Sequence, residues 1–248
     1  MERMTHDGPQ GLAVSSDGYT LVPSSVELTP GTTSPFTFKV IGKDGKPVKS
    51  YAVLHDKELH LIVVRRDLTG YQHLHPTRAA SGTWSVPLAI ASAGVHKAFA
   101  NFQPAGQAMP MPMTLAVDLM ASGEFAAAAL PKPAVTTTVD GFRIDLAGKV
   151  IVGGSKLTFT VTQGGKPVDL QPYLGAFGHL VALRVGDLAY LHVHPEGTPG
   201  HDHHPPAGGQ ITFIAPVPTA GQYRLFLDFK AADVVHTAEF TAAAPRAK

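Results

Sequence analysis

Short runs of alternating apolar and polar residues recur along the chain. Thr37-Phe38-Lys39-Val40-Ile41 ends in Gly42-Lys43-Asp44-Gly45, and Thr158-Phe159-Thr160-Val161-Thr162 ends in Gln163-Gly164-Gly165. A period of two is that of a strand with one face buried, because successive side chains leave opposite faces of the pleat. Turn residues return roughly every 8–12 positions, the spacing of small antiparallel sandwiches. No segment carries a sustained helical period. Leu61 to Val64 is apolar throughout and reads as a buried strand centre.

The pattern occurs twice. The segments from His60 to Pro76 and from His179 to Pro195 both read His-Leu-x₃-Arg-x₅-Tyr-x-His-x-His-Pro without a gap. Upstream, Phe36-Thr37-Phe38-Lys39-Val40 with Gly45-Lys46-Pro47-Val48 answers Leu157-Thr158-Phe159-Thr160-Val161 with Gly165-Lys166-Pro167-Val168. Downstream, Ala93-Gly94-Val95-His96 answers Ala220-Gly221-Gln222-Tyr223. The expected fold is all-β: two tandem antiparallel β-sandwich domains, immunoglobulin-like or cupredoxin-like, from an internal duplication. The domains are expected at residues 11–125 and 135–243, joined by a Pro/Ala-rich linker at 126–134.

Composition narrows the functions. Charged residues are only 16% of the chain, and 20 Lys+Arg against 19 Asp+Glu leave a formal charge of +1. That excludes a charged disordered chain and argues against a nucleic-acid partner, which needs a basic excess to displace counterions. Zero cysteine removes disulfides, thiolate metal sites and a thiol nucleophile. No apolar run is long enough for a membrane-spanning helix. Met1 to Asp7 lack the apolar core of a leader peptide, so the sequence reads as cytoplasmic or as a trimmed form of an exported chain. The 13 His and 6 Met are the chemically distinctive residues.

The repeated segment reads as a hairpin. In the second copy Gly186-Asp187 reads as a two-residue turn. Counting outward pairs His179 with His194 and Val181 with His192; the first copy pairs His60 with His75 and Ile62 with His73. Alternation then puts His60, His73 and His75 on one face, and His179, His192 and His194 on one face. Directly opposed Cβ atoms lie about 4.5–5.5 Å apart, close enough for two imidazoles to share one ion with bonds of about 2.0–2.1 Å. The alternative is a hydrogen-bonded structural cluster, copied when the domain was duplicated. Arg65 with Asp67 and Arg184 with Asp187 are expected to support the hairpin turns, Trp84 to lie in the first core, and His96 to be a strand residue.

Further candidate ligands flank these trios. Aligning Thr237 with Thr114 places Met113 at the position of His236. Met109, Met111 and Met113 alternate with Pro and present thioethers, which favour Cu(I); a hydrophobic loop over the sandwich edge is the alternative. His201, His203 and His204 form a further imidazole cluster with Asp202. Copper, as Cu(I) or Cu(II), is the expected ligand, with zinc second.

The histidine hairpin, with Asp-Gly-Lys-Pro-Val upstream and Ala-Gly-x-Tyr-Arg-Leu-Phe downstream, resembles extracytoplasmic bacterial, notably actinobacterial, proteins built from duplicated immunoglobulin-like modules of the YtkA-like and FixH-like group. The Met/His-rich patches resemble copper-handling proteins of the CopC type. These resemblances imply export, a secreted or cell-envelope location, and a partner among envelope metal-handling proteins. The expected function is copper carriage or sequestration. The alternatives are a non-catalytic adhesion or scaffold module and, third, a copper-dependent enzyme, although Gly-x-Ser-x-Gly, His-Glu-x-x-His and phosphate-loop motifs are absent from the sequence.

Overall fold

The computed structural model describes residues 9–107, 111–195 and 207–246, with only the backbone of His192 and His194. The chain divides between Leu130 and Pro131 into two compact units.

The first unit contains β1 (Ser15–Ser16), β2 (Tyr19–Pro23), β3 (Glu27–Leu28), β4 (Thr33–Ile41), β5 (Leu59–Arg65), β6 (Gln72–Leu74), β7 (Thr77–Arg78), β8 (Thr83–Ala89), β9 (Gly94–Phe102) and β10 (Met113–Ala121). They form two sheets, ordered β1-β2-β4-β8-β7 and β3-β10-β9-β5-β6. The pairings are antiparallel except that short β3 runs parallel to β10. This order is that of an immunoglobulin-like sandwich. The alternation in β4 turns Phe36, Phe38 and Val40 inward against Leu61, Val63, Ala98, Ala100 and Phe102 of the facing sheet. Trp84 is 1% exposed, as its sequence context predicts. Its indole N–H donates to the Tyr51 hydroxyl at 3.2 Å, and burial pushes the Tyr51 phenol up to about 12.

The second unit contains β11 (Thr136–Val139), β12 (Phe142–Ala147), β13 (Ser155–Gln163), β14 (Lys166–Pro167), β15 (Gly178–Arg184), β16 (Tyr190–Pro195), β17 (Gln210–Ala215), β18 (Gly221–Ala231) and β19 (Val234–Ala244). Here the two layers are linked. β16 pairs with β15 from Tyr190 to Val193, then with β17 at His194 and Pro195. In the first domain the same crossing is split: β6 stays beside β5, and after Pro76 the chain joins β8 through β7. The segment carrying the last histidine of each trio is therefore where the chain passes from one sheet to the other.

This architecture decides which way the histidines point. Leu59, Leu61 and Val63 face the first core, so His60, Ile62 and Val64 lie on the opposite face of β5. Leu180 and Ala182 face the second core, so His179 and Val181 lie on the opposite face of β15.

Candidate metal centre

The hairpin register follows the sequence reading: Ile62 opposes His73 and Val181 opposes His192. The turn differs. In the second copy Arg184 N–H bonds Ala189 O and Leu188 N–H bonds Arg184 O, so the loop spans Val185 to Leu188 rather than two residues. Leu188 adopts φ 60°, and in the first copy Leu68 adopts φ 67°. Both leucines are buried, and packing holds each in the left-handed region that β-carbons disfavour. Arginine and aspartate close both turns. Arg65 binds Asp67 through Nε at 2.9 Å and Nη2 at 2.6 Å, and Arg184 binds Asp187 through the same two nitrogens. Burial alone would raise the Asp67 pKa. Arg65, the Ala128 N–H and Thr69 outweigh it and hold the carboxyl at about 2.

At the other end of the first hairpin the three rings meet. His60 Nδ1 lies 3.0 Å from His73 Nε2. Ring centroids are 5.3 Å apart for His60–His73, 5.1 Å for His60–His75 and 4.8 Å for His73–His75. One ring nitrogen from each residue lies within 4.8 Å of the others. Among the described residues, no other group of three His, Asp or Glu side chains gathers donor atoms in this way. His60 Nε2 donates to Leu54 O at 2.9 Å. A carbonyl only accepts, so the proton sits on Nε2 and the Nδ1 lone pair faces His73. Metal-ligating histidines are commonly oriented by such an outer hydrogen bond. Two ligands on a tetrahedral ion at 2.0–2.1 Å stand about 3.3 Å apart, so the His60–His73 pair needs only slight opening. Arg78 pairs with Glu58 at 2.9–3.0 Å, tying the start of β5 to the chain just after His75. His55 adds a fourth imidazole nearby, 6.2 Å ring to ring from His60.

The second copy reproduces the orienting bond: His179 Nε2 donates to Tyr173 O at 2.8 Å. The backbone places positions 192 and 194 on the face that carries His179. Across the ladder, His179 opposes Asp228, whereas His60 opposes Asn101. Asp228 is 2% exposed and accepts from Thr237 Oγ1 at 2.6 Å. Asn101 instead donates its amide to Thr114 Oγ1 at 3.0 Å. Burial first, then the Asp228 charge, push the hydroxyl pKa of Tyr190 and of Tyr173 upward.

Asp228 is absent from the sequence reading. The signal lies in the next turn, where Ala232 and Asp233 both adopt positive φ, 48° and 62°, and so join β18 to β19 by a two-residue turn. Such turns favour Asn-Gly, and Ala-Asp does not announce one. Counting back from it pairs Asp228 with Thr237 and sets both beside His179.

The same count corrects two expected ligands. Met113 opposes Phe102 and packs against the first core, while Thr114 lies on the histidine face. His236 opposes Phe229 and lies against Phe142 and Phe229, with ring centroids 4.7 and 5.3 Å away. Its nitrogens face oxygen acceptors, Asp140 Oδ2 at 2.8 Å and Ala231 O at 3.3 Å, the surroundings of a donor rather than of a ligand. Alternation along β10 and β19 therefore removes Met113 and His236 from the trios. Met111 is exposed at 48%. Met109, His201, His203 and His204 lie outside the described residues. His96 is a buried residue of β9, and burial lowers its pKa.

A family profile described as a domain of unknown function (DUF8832) matches residues 13–118 and again 137–246. The chain belongs to this family. Its two DUF8832 copies coincide with the two sandwiches. No curated protein matches the chain. Similar solved structures include a DUF4426 family protein from Pseudomonas aeruginosa PAO1, at 8% identity and TM-score 0.33, covering 45% of this chain and 95% of that one. Another is the Escherichia coli adhesin FdeC, at 14% identity and TM-score 0.30, covering 94% and 66%. A third is domains 5–6 of the S-layer protein SbsC, at 10% identity and TM-score 0.25, covering 92% and 97%. At these scores the likenesses carry no functional argument.

Proposed function

We propose that this DUF8832 protein binds a transition-metal ion through the imidazoles of His60, His73 and His75, and carries or sequesters it. The supporting observation is the His60 tautomer: Leu54 O accepts from Nε2–H, and Nδ1 faces His73 Nε2 at 3.0 Å beside a third ring. An ion entering there takes the place of the hydrogen bond between the two nitrogens, with each ring binding as a neutral imidazole, so protonation of the rings competes with binding. Three imidazoles suit copper and zinc, and among divalent ions Cu(II) binds such donors most tightly. With Met113 turned to the core, the argument for copper rests on imidazole rather than thioether. His179, His192 and His194 form the corresponding second site of the proposal. An envelope location, a metal-handling partner and kinship with YtkA-like, FixH-like and CopC-type proteins belong to the same reading and rest on the motif resemblance. No helix among the described residues is long and apolar enough to cross a membrane.

Titration of the metal-free protein with Cu(II), Cu(I) and Zn(II) tests this, wild type against the double variant His73→Ala/His75→Ala. The expected result is the loss of one bound ion per chain. An unchanged stoichiometry and affinity rules the first site out. The 3.0 Å contact also fits a second reading, a purely structural hydrogen-bonded cluster in an adhesion or scaffold module. That reading requires a melting temperature indifferent to metal and chelator, whereas an ion bound only by the native state raises it.

A further inference from the structure

The duplication supplies an internal control. The residue across the ladder from the first histidine is a neutral amide in one domain, Asn101, and a carboxylate in the other, Asp228. Each is 2% exposed, and each is held by the threonine that follows it in register, Thr114 or Thr237. The strand, the face and the orienting carbonyl are shared, and the charge differs. We infer that the two domains prefer ions of different charge: the first, with neutral donors, a univalent ion such as Cu(I), and the second, with Asp228 beside His179, a divalent ion such as Cu(II) or Zn(II).

The inference rests on the proposed metal sites and specifies their selectivity. A buried doubly charged ion is poorly solvated unless an anion stands near it, and a univalent ion needs that anion less. Glu58, two residues before His60, is engaged by Arg78. The Asp228 carboxylate attracts both ions, Cu(II) with twice the charge of Cu(I), and at the separations of ladder neighbours that second charge changes the ratio of their affinities by about tenfold or more.

The test uses the full chain. His73→Ala/His75→Ala reports the second site alone, and His192→Ala/His194→Ala the first; circular dichroism verifies the fold of each. In these backgrounds Cu(I), Cu(II) and Zn(II) dissociation constants are measured by chelator competition, with Asp228→Asn and Asn101→Asp added in turn. Asp228→Asn is expected to weaken Cu(II) and Zn(II) at the second site at least about tenfold relative to Cu(I), and Asn101→Asp to strengthen them at the first by a similar factor. Two exchanges are made so that a destabilised Asp228→Asn chain does not decide the matter. Equal preference at both sites, unmoved by either exchange, overturns the inference and leaves the proposed function standing. Absence of binding at the second site alone overturns the inference, and absence of binding at both sites overturns the inference and the proposed function.

Discussion

In the first domain the turn-closing pair Arg65–Asp67 is almost enclosed, with side chains 10% and 8% exposed; in the second, Arg184–Asp187 is 18% and 41% exposed. The hairpins share their length and register, yet one turn is sealed and the other open. Part of the seal is the chain that follows the first domain: Ala128 N–H donates to Asp67 Oδ2 at 2.9 Å, and Arg65 lies over the Phe125 ring at 5.3 Å. Similar turn-closing pairs, Arg-x-Asp in one domain and Arg-x-x-Asp in the other, can thus carry unequal energies, because burial sets what a charge pair is worth.

The largest expected contrast between the domains is in that pair. Arg65→Ala leaves the Asp67 carboxylate enclosed without its cation and is expected to cost about 3–5 kcal/mol. Arg184→Ala, at a solvated turn, is expected to cost about 1 kcal/mol or less. Urea unfolding of both variants measures the difference, and equal losses would break the comparison. Acid sharpens it. Asp67 is lowered from 3.8 to about 2, so its contribution is complete above pH 3.8 and disappears as the pH falls through about 2.

A second contrast lies at the start of β9 and β18. His96 stands where the second domain has Tyr223, whose hydroxyl donates to Thr219 O at 2.8 Å. Burial lowers the His96 pKa from 6.5, so the unfolded chain binds its proton first. Stability from neutral His96 is full above pH 6.5 and declines as the pH falls below it. Melting curves between pH 7.5 and about 5 should show wild type losing more stability than His96→Tyr. Parallel curves for the two proteins would remove His96 as the cause.

The smallest effects test the division of faces. Met113→Leu, on the core side of β10, is expected to cost under about 1.5 kcal/mol and to leave metal stoichiometry unchanged. His236→Asn is likewise expected to leave stoichiometry unchanged, though it loses contacts with Asp140 and the two phenylalanines. A lost ion in either variant would return these residues to the sites.

Much of the hairpin was legible because register needs only a count. Once the midpoint between His60 and His75 is set, alternation places His73 on the same face, whatever the turn conformation. The turn itself was not legible: Leu68 and Leu188 sit in left-handed geometry that packing imposes and leucine does not advertise. Met113 and His236 misled for a related reason. Their alignment with each other is sound, since both precede the threonine of the ladder pair. Alignment between repeats says nothing of which face a strand position occupies.

The sequence by itself established the duplication, the strand period and the pairing of the histidine hairpins, because these depend on spacing along a locally extended chain. Only the tertiary structure decided that Leu54 O and Tyr173 O orient the first histidines, that Asp228 or Asn101 stands beside them, and that Met113 and His236 face away. Those facts depend on neighbouring strands, whose relative offset is settled by a turn geometry and a packed core that no single segment encodes.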